Sequence, residues 1–281
     1  MLAAQRRDLL LARLDRDGRL IAKDLASEWG IAEDSVRRDL RELAAAGLCQ
    51  RVYGGALPVS PAVADYATRT AVATDSKRRV AAAAAALVRP GATVLLDGGT
   101  TALAVAHALP PGLRATVVTH SPTVAAALVD HPTVEVYVLG GRLFKHSAVT
   151  CGAAAAEAAR GVQADVFLLG VTGVHPQAGL TTGDPDEAAM KRTLAGRAAD
   201  TYVLASSEKI GAASAFTVLP FTAVTAIITD APAEHPVLRE LQRSSTAVIH
   251  AARPANRRQA PAPCGPEAVS GSPSQVFHPT W

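Results

Sequence analysis

Apolar positions in the first part of the chain recur at helical spacing, in three blocks broken by glycine. Leu9, Leu10, Leu11 and Leu14 sit among arginines and aspartates over residues 5–16, which predicts an amphipathic helix stopped by Asp17-Gly18. Arg19-Leu20-Ile21 is a short extended piece. Lys23 to Trp29 predicts a second helix with Leu25, Ala26 and Trp29 inward. Gly30 makes a turn, and a third helix runs from about Glu33 to Ala46 on the stripe Val36, Leu40 and Leu43. Gly47 ends it, because the left-handed residue past a helix end is usually glycine. Leu48 to Tyr53 is strand-like and leads into Gly54-Gly55-Ala56.

The pattern then changes. Residues 57–75 hold Pro58, Pro61 and few large apolar groups, which predicts a linker with one short turn. From Ser76 onward, apolar runs alternate with helical stretches. Helices are predicted over Lys77–Val88, from Thr101 to Leu109, and over Pro122–Val129, Ala153–Arg160, Asp186–Ala199 and Pro236–Gln242. Strands are predicted at Thr93–Leu96, Thr116–Val118, Val134–Leu139, Val166–Gly170, Tyr202–Ala205, Ala223–Ile228 and Ala247–Ile249. Near-continuous apolar strands alternating with helices imply a largely parallel sheet covered on both faces. Residues 251–281, rich in Pro, Ala, Ser and Gly, lack periodicity and are expected to be disordered; Arg253, Arg257 and Arg258 are their only basic groups.

Composition narrows the class. The 281 residues are 49% hydrophobic and 19% charged, an ordinary globular balance. No apolar run is long enough to span a bilayer, and the first eight residues lack the layout of a secretion signal, so a cytoplasmic protein without membrane partners is expected. Cys49, Cys151 and Cys264 are far apart and odd in number, implying no disulfide framework. His107, His120, His131, His146 and His175 form no helical zinc pattern, so no metal is expected. The net charge of +3 is uneven: residues 1–56 have ten basic and nine acidic groups, residues 57–250 fifteen of each, and residues 251–281 three and one. Any nucleic-acid footprint must therefore come from local clustering.

Such a cluster lies on the third helix. Arg37, Arg38 and Arg41 fall on adjoining faces, opposite Val36, Leu40 and Leu43. Guanidinium groups suit phosphates and guanine edges. Taken alone, the stretch fits a solvated helix face better. Its context reverses that, because helix, glycine turn and arginine-bearing helix is the helix-turn-helix layout, and the following strand with Gly54-Gly55 forms a wing carrying Arg51. In the body, ligands of parallel sheets bind beyond the carboxyl ends of strands, where Asp97-Gly98-Gly99-Thr100-Thr101 falls. Its N–H groups and the following helix start form an anion seat, and Asp97 is placed to accept from a sugar hydroxyl. Thr119, Ser121, Gly140, Gly141, Gly170 and Ser206-Ser207-Glu208-Lys209 occupy other strand ends. Each loop alone fits a tight turn better; several at one sheet edge favour a ligand. The loop is neither a Walker loop nor a GxGxxG fingerprint, so no nucleotide cofactor is expected.

Leu25-Ala26, Gly30-Ile31, Ser35 to Leu40, Leu43, Gly47-Leu48 and Arg51 to Ala56 resemble the signature of the DeoR family of bacterial transcription regulators. Lys77-Arg78, Asp97 to Thr101, Val118 to Ser121, Leu139 to Leu143, Asp165 to Gly170, Gly179 to Thr182, Glu187, Met190 to Arg192 and Ser206 to Gly211 resemble that family's effector domain, whose fold is similar to ribose-5-phosphate isomerase and the coenzyme A transferases. The resemblance implies an α/β chain with a small amino-terminal winged helix-turn-helix domain followed by a mostly parallel α/β effector domain. The boundaries are 1–56 for DNA binding, 57–75 for the linker, 76–250 for the effector domain and 251–281 for the tail. It implies operator DNA, a phosphorylated sugar and further copies of the chain as partners. Expected DNA-binding residues are Ser35, Arg37, Arg38, Arg41, Arg51, Gly54 and Gly55. Expected effector-binding residues are Asp97, Gly98, Gly99, Thr100, Thr101, Thr119, Ser121, Gly140, Gly141, Gly170, Lys191 and Lys209. Lys209 would face the ligand, and Lys191 the ligand or a nearby carboxylate.

The chain departs from the family pattern at four places: Ala32 for the capping serine, Ser35 for threonine, His120 for asparagine and Ser206 for aspartate. The expected function is a regulator, most often a repressor. The alternative is a sugar-phosphate isomerase using Asp97, Asp186, Glu187, Lys191 and Lys209 as acid–base groups, which rests on fold analogy. A ligand-blind body is a third reading.

Overall fold

A computed structural model describes residues 2–60 and 65–251. Pro61, Cys264 and the expected disordered tail from residue 252 lie outside the described residues. The head begins with helix α1 (Ala3–Asp17), strand β1 (Leu20–Ile21), helix α2 (Ala22–Trp29) and helix α3 (Glu33–Ala45). Strands β2 (Gln50–Val52) and β3 (Gly55–Leu57) complete it, and all three strands pair antiparallel in the order β1-β3-β2. The apolar stripes meet in one small core of Leu10, Leu14, Leu25, Val36, Leu40 and Leu43. This is a winged helix-turn-helix. Gly47 adopts the left-handed conformation just past α3, at φ +72°.

Helix α4 (Tyr66–Ala71) follows, where the sequence predicts only a short turn. Its start is fixed by the Asp65 side chain, which accepts from Thr68 N at 2.8 Å. Helix α5 (Thr74–Ala85) then opens the body, beginning earlier than the apolar pattern indicates.

The body contains strands β4 (Thr93–Leu96), β5 (Ala115–Thr119) and β6 (Val134–Val138), separated by helices α6 (Thr100–Ala108) and α7 (Pro122–Ala127). A hairpin of β7 (Arg142–Phe144) and β8 (Val149–Cys151) precedes helix α8 (Ala153–Arg160) and strand β9 (Ala164–Gly170). Then come β10 (Gly173–His175), β11 (Gly179–Thr182), helix α9 (Pro185–Ala195), β12 (Ala198–Leu204) and β13 (Phe216–Leu219). Strand β14 (Ala226–Thr229), helix α10 (Pro236–Arg243) and strand β15 (Val248–His250) close the body.

Seven strands pair in parallel in the order β15-β14-β12-β9-β4-β5-β6. Alternate residues of the central strands serve opposite faces. Leu95, Phe167, Leu169, Val203 and Ile227 pack into one core, while Val94, Leu96, Val166, Leu168 and Leu204 pack into the other. That double burial is why these strands are continuously apolar. Two antiparallel additions, the β7–β8 hairpin and the sheet β10-β11-β13, escape the sequence reading. So does the end of α9, predicted to reach Ala199: the helix ends at Ala195, just before Gly196, and Ala198-Ala199 begin β12. Alanine carries no pattern that separates the two states. No helix of the described residues is long and apolar enough to cross a membrane.

Candidate functional site

The chain carries two candidate surfaces, one in each half. In the head, α3 is held from behind by its stripe and by one acid. Asp39 is 2% exposed and takes the Arg6 guanidinium of α1, whose Nη2 donates to Oδ1 at 3.1 Å. Asp39 is thus structural, and it locks α3 onto α1.

The front of α3 is solvent. Arg37, Arg38 and Arg41 are exposed and Ser35 is half-buried. Arg37 donates to Glu33 Oε1 at 2.8 and 3.0 Å, so its charge is partly answered within the helix. Arg41 Nε reaches the Arg37 carbonyl at 3.4 Å. Arg38 has no hydrogen-bond or ion-pair partner among the described residues. Arg51 is exposed on β2, and Gly54 makes the exposed wing turn at φ +80°. Gly55 is different. A Cβ there would stand 1.7 Å from the Leu20 carbonyl oxygen, so this glycine lets β3 close on β1 and faces inward. The sequence reading passed over Tyr53, which is fully exposed at the wing tip. Its signal was an aromatic in a turn, where no core can use it.

Helix α3 starts without a side-chain cap, because Ala32 stands at that position. Glu33 and Asp34 in the first turn offset part of the loss through the helix dipole. Ala32→Ser is expected to stabilise the chain by about 0.5–2 kcal/mol and to slow amide exchange over residues 33–36. Urea unfolding with hydrogen exchange checks this, and an unchanged midpoint contradicts it.

In the body, the carboxyl ends of β4 and β9 meet the start of α6. There the chain leaves a small, partly open cavity of about 30 Å³. Gly98, Gly99, Thr100, Thr101, Gly170, Lys191 and Lys209 line it. Gly99 precedes α6 at φ +89°, which turns the first N–H groups of the helix toward the cavity. Lys209 Nζ donates to Thr101 Oγ1 at 3.1 Å.

Asp97, Thr119, Ser121, Gly140 and Gly141 do not line this cavity. Asp97 is fully buried behind it, and its oxygens are saturated. Oδ1 accepts from Gly98 N at 2.8 Å and lies 2.7 Å from His120 Nε2. Oδ2 accepts from Gly170 N at 2.8 Å and Lys191 Nζ at 2.5 Å. Burial alone would raise its carboxyl. The Lys191 ammonium and then His120 outweigh that and hold it far below the usual carboxylate range. Lys191, for which burial works the other way, is held above the ordinary lysine value by Asp97 and by Glu187 at 3.3 Å. Asp97 therefore fixes the two glycine loops and Lys191 in place. Thr119 and Ser121 are spent on local bonds: Thr119 Oγ1 accepts from Ser121 N, and Ser121 Oγ donates to the Ala148 carbonyl. Gly140-Gly141 leads into the hairpin.

The structure adds Arg69 and Lys77 to this lining, and brings in Glu208 from the strand-end loop that carries Lys209. Arg69 arrives from α4. Its only signal was an arginine in a segment otherwise poor in large side chains. Burial is the first cause acting on Lys209, Lys77 and Arg69, and it lowers all three. Glu208 opposes this for Lys209, but the neighbouring cations Lys77, Arg69 and Lys191 add to it, leaving Lys209 at about 8. Four cations, counting Lys191, meet three carboxylates: Asp97, Glu187 and Glu208. The surplus is one positive charge at a helix N-terminus, an arrangement suited to an anion. Among the described residues no group of His, Cys, Asp and Glu is placed to hold a metal ion.

Two family models match the chain: the DeoR-like helix-turn-helix domain over residues 6–62, and the DeoR C terminal sensor domain over residues 72–231. The putative aga operon transcriptional repressor of Escherichia coli O157:H7 is 30% identical, covering 88% of this chain and 93% of its own. The HTH-type transcriptional regulator GlpR of Haloferax volcanii is 30% identical, covering 89% and 98%. The glycerol-3-phosphate regulon repressor of Escherichia coli K12 is 28% identical, covering 86% and 96%. A solved ribose 5-phosphate isomerase A from Methanocaldococcus jannaschii superposes with a TM-score of 0.37 at 17% identity, over 49% of this chain and 54% of its own, too distant to bear on function.

Proposed function

The chain belongs to the DeoR family of DNA-binding transcriptional regulators, and from that premise we propose that it is a cytoplasmic repressor whose hold on operator DNA is set by a phosphorylated sugar or related metabolite. It is a regulator rather than an enzyme; the relatives that span most of its length are named regulators and repressors. One of the relatives is named a glycerol-3-phosphate regulon repressor. The observation that carries the ligand reading is the cluster of the cations Arg69, Lys77 and Lys209 around one small cavity at the start of α6.

Arg38 and Ser35 read base edges in this account, while Arg37, Arg41 and Arg51 hold phosphates. One head makes few contacts, so the active form is a homo-oligomer that sets heads on repeated half-sites. The ligand shifts the balance between head arrangements through its different affinity for them.

The cavity has a pH signature. A phosphomonoester is doubly charged above about pH 7, since its second pKa is about 6. Its charge is then constant, while Lys209 loses its proton from about 8 upward. Binding keeps the lysine charged, so proton uptake accompanies it at high pH. Affinity for glycerol 3-phosphate, followed by calorimetry, should be level near pH 7 and fall above about 8, by up to about tenfold per unit. Lys209→Gln should weaken binding and reduce that slope. A level affinity from pH 7 to 9.5 contradicts the reading.

A further inference from the structure

We propose that Arg69 is the grip by which an anion in the cavity fastens the segment joining the two halves of the chain to the sheet. The inference rests on the reading of the cavity as a phosphate seat, and goes beyond it by assigning a coupling role to a residue outside the sheet.

Arg69 lies on α4, between the wing strand β3 and the first body helix α5. It is 7% exposed, which is rare for arginine without an acidic partner. Among the described residues its guanidinium makes one hydrogen bond, from Nη2 to the His146 carbonyl, and it rests 5.7 Å from the Tyr66 ring centroid. Its Nε is buried with no partner among those residues. An unpaired buried donor is unfavourable, and a charged group makes it more so. The group nonetheless lines the cavity, facing the turn at Gly99: a Cβ on that glycine would stand 3.9 Å from Nη1. An anion between Arg69 and the start of α6 would meet Nη1 on one side and the helix N–H groups and Lys209 on the other.

The remaining ties of α4 to the body are few. Tyr66 Oη donates to Thr123 Oγ1 at 2.9 Å, and Lys77 Nζ donates to the carbonyl of Arg69 itself. Lys77 thus holds the backbone of the residue whose side chain meets the ligand. Filling the cavity adds a charge-assisted link to a helix of six residues that has little else to hold it. Occupancy is therefore transmitted to the chain that leads to the head, without any rearrangement of the sheet.

The test uses inorganic phosphate and the full chain. Binding is measured by thermal shift, and backbone protection by hydrogen exchange over residues 65–72. In the wild type, phosphate should raise the melting temperature and slow exchange in 66–71, with α10 unchanged. In Arg69→Gln, phosphate affinity should fall about ten- to a hundredfold, and the slowing in 66–71 should vanish. Arg78→Gln, at an exposed position on α5, should behave as wild type. Arg69→Lys covers the case in which the glutamine variant does not fold: it keeps the charge but loses the fork of donors, and should bind phosphate several-fold more weakly. If phosphate stabilises the wild type while 66–71 exchanges as before, or if either Arg69 variant that folds binds phosphate as tightly as wild type, the inference is overturned and the cavity reading stands. If phosphate leaves the wild type unstabilised, both fall.

Discussion

Asp97→Ala is expected to lower the unfolding free energy by about 3–5 kcal/mol, the usual loss when one partner of a buried ion pair is removed. For a chain of this size that corresponds to a drop in melting temperature of roughly 6–20 °C. Asp97 is wholly buried and answers Lys191, His120 and two backbone N–H groups at once. Its loss leaves Lys191 with Glu187 alone and frees the loops at Gly98 and Gly170. Any ligand-induced rise in melting temperature should disappear too, through disordering of the seat rather than loss of a direct contact. The pH dependence follows from the depressed folded pKa. Such a carboxylate contributes its full stability above its unfolded value of about 3.9, and loses it as pH falls below that. Lys191, raised in the fold, contributes fully below about 10.4 and loses it as pH rises through its folded value. The gap between wild type and variant should therefore be constant from about pH 5 to 9 and narrow in acid. Urea unfolding at pH 7 and pH 3.5 measures it, and a gap under about 1 kcal/mol at pH 7 contradicts the assignment.

Arg38→Ala should cost operator affinity and almost nothing else. One bidentate contact to a base is worth about 1–3 kcal/mol, so with two heads engaged the loss is about 30-fold to 10⁴-fold. The melting temperature should barely move, because Arg38 is exposed and partnerless among the described residues. Arg37→Ala should cost less affinity, since Arg37 must first leave Glu33 to reach DNA. A gel-shift titration on the DNA upstream of its own gene separates the three proteins. Equal affinity of Arg38→Ala and wild type removes Arg38 from the interface.

Much of this was legible from the sequence because periodicity reports burial. Val36, Leu40 and Leu43 announced the back of α3, and the continuously apolar runs at 93–96 and 166–170 announced central strands. The glycine loop at 97–101 was legible as a strand-end turn leading into a helix, and four of its five residues line the cavity. Other parts had no local signature. Strands of three or four residues, such as β7, β8 and β10, are too short to show alternation. Asp97 reads as a ligand-facing acid until its four partners, drawn from well-separated stretches of sequence, are seen to enclose it. Arg69 reads as a solvated linker charge, since nothing near it in sequence reveals that α4 folds it under His146. Gly55 reads as part of a DNA-facing wing, although the Leu20 carbonyl is what demands it.

The central claim is that ligand in the body governs DNA binding by the head. Its most direct test is the midpoint of the operator complex, measured against a panel of sugar phosphates and their unphosphorylated parents. At least one phosphorylated compound, and not its parent, should move that midpoint by about fivefold or more, and Lys209→Gln should erase the shift. A midpoint unmoved by every phosphorylated compound that stabilises the protein would contradict the claim.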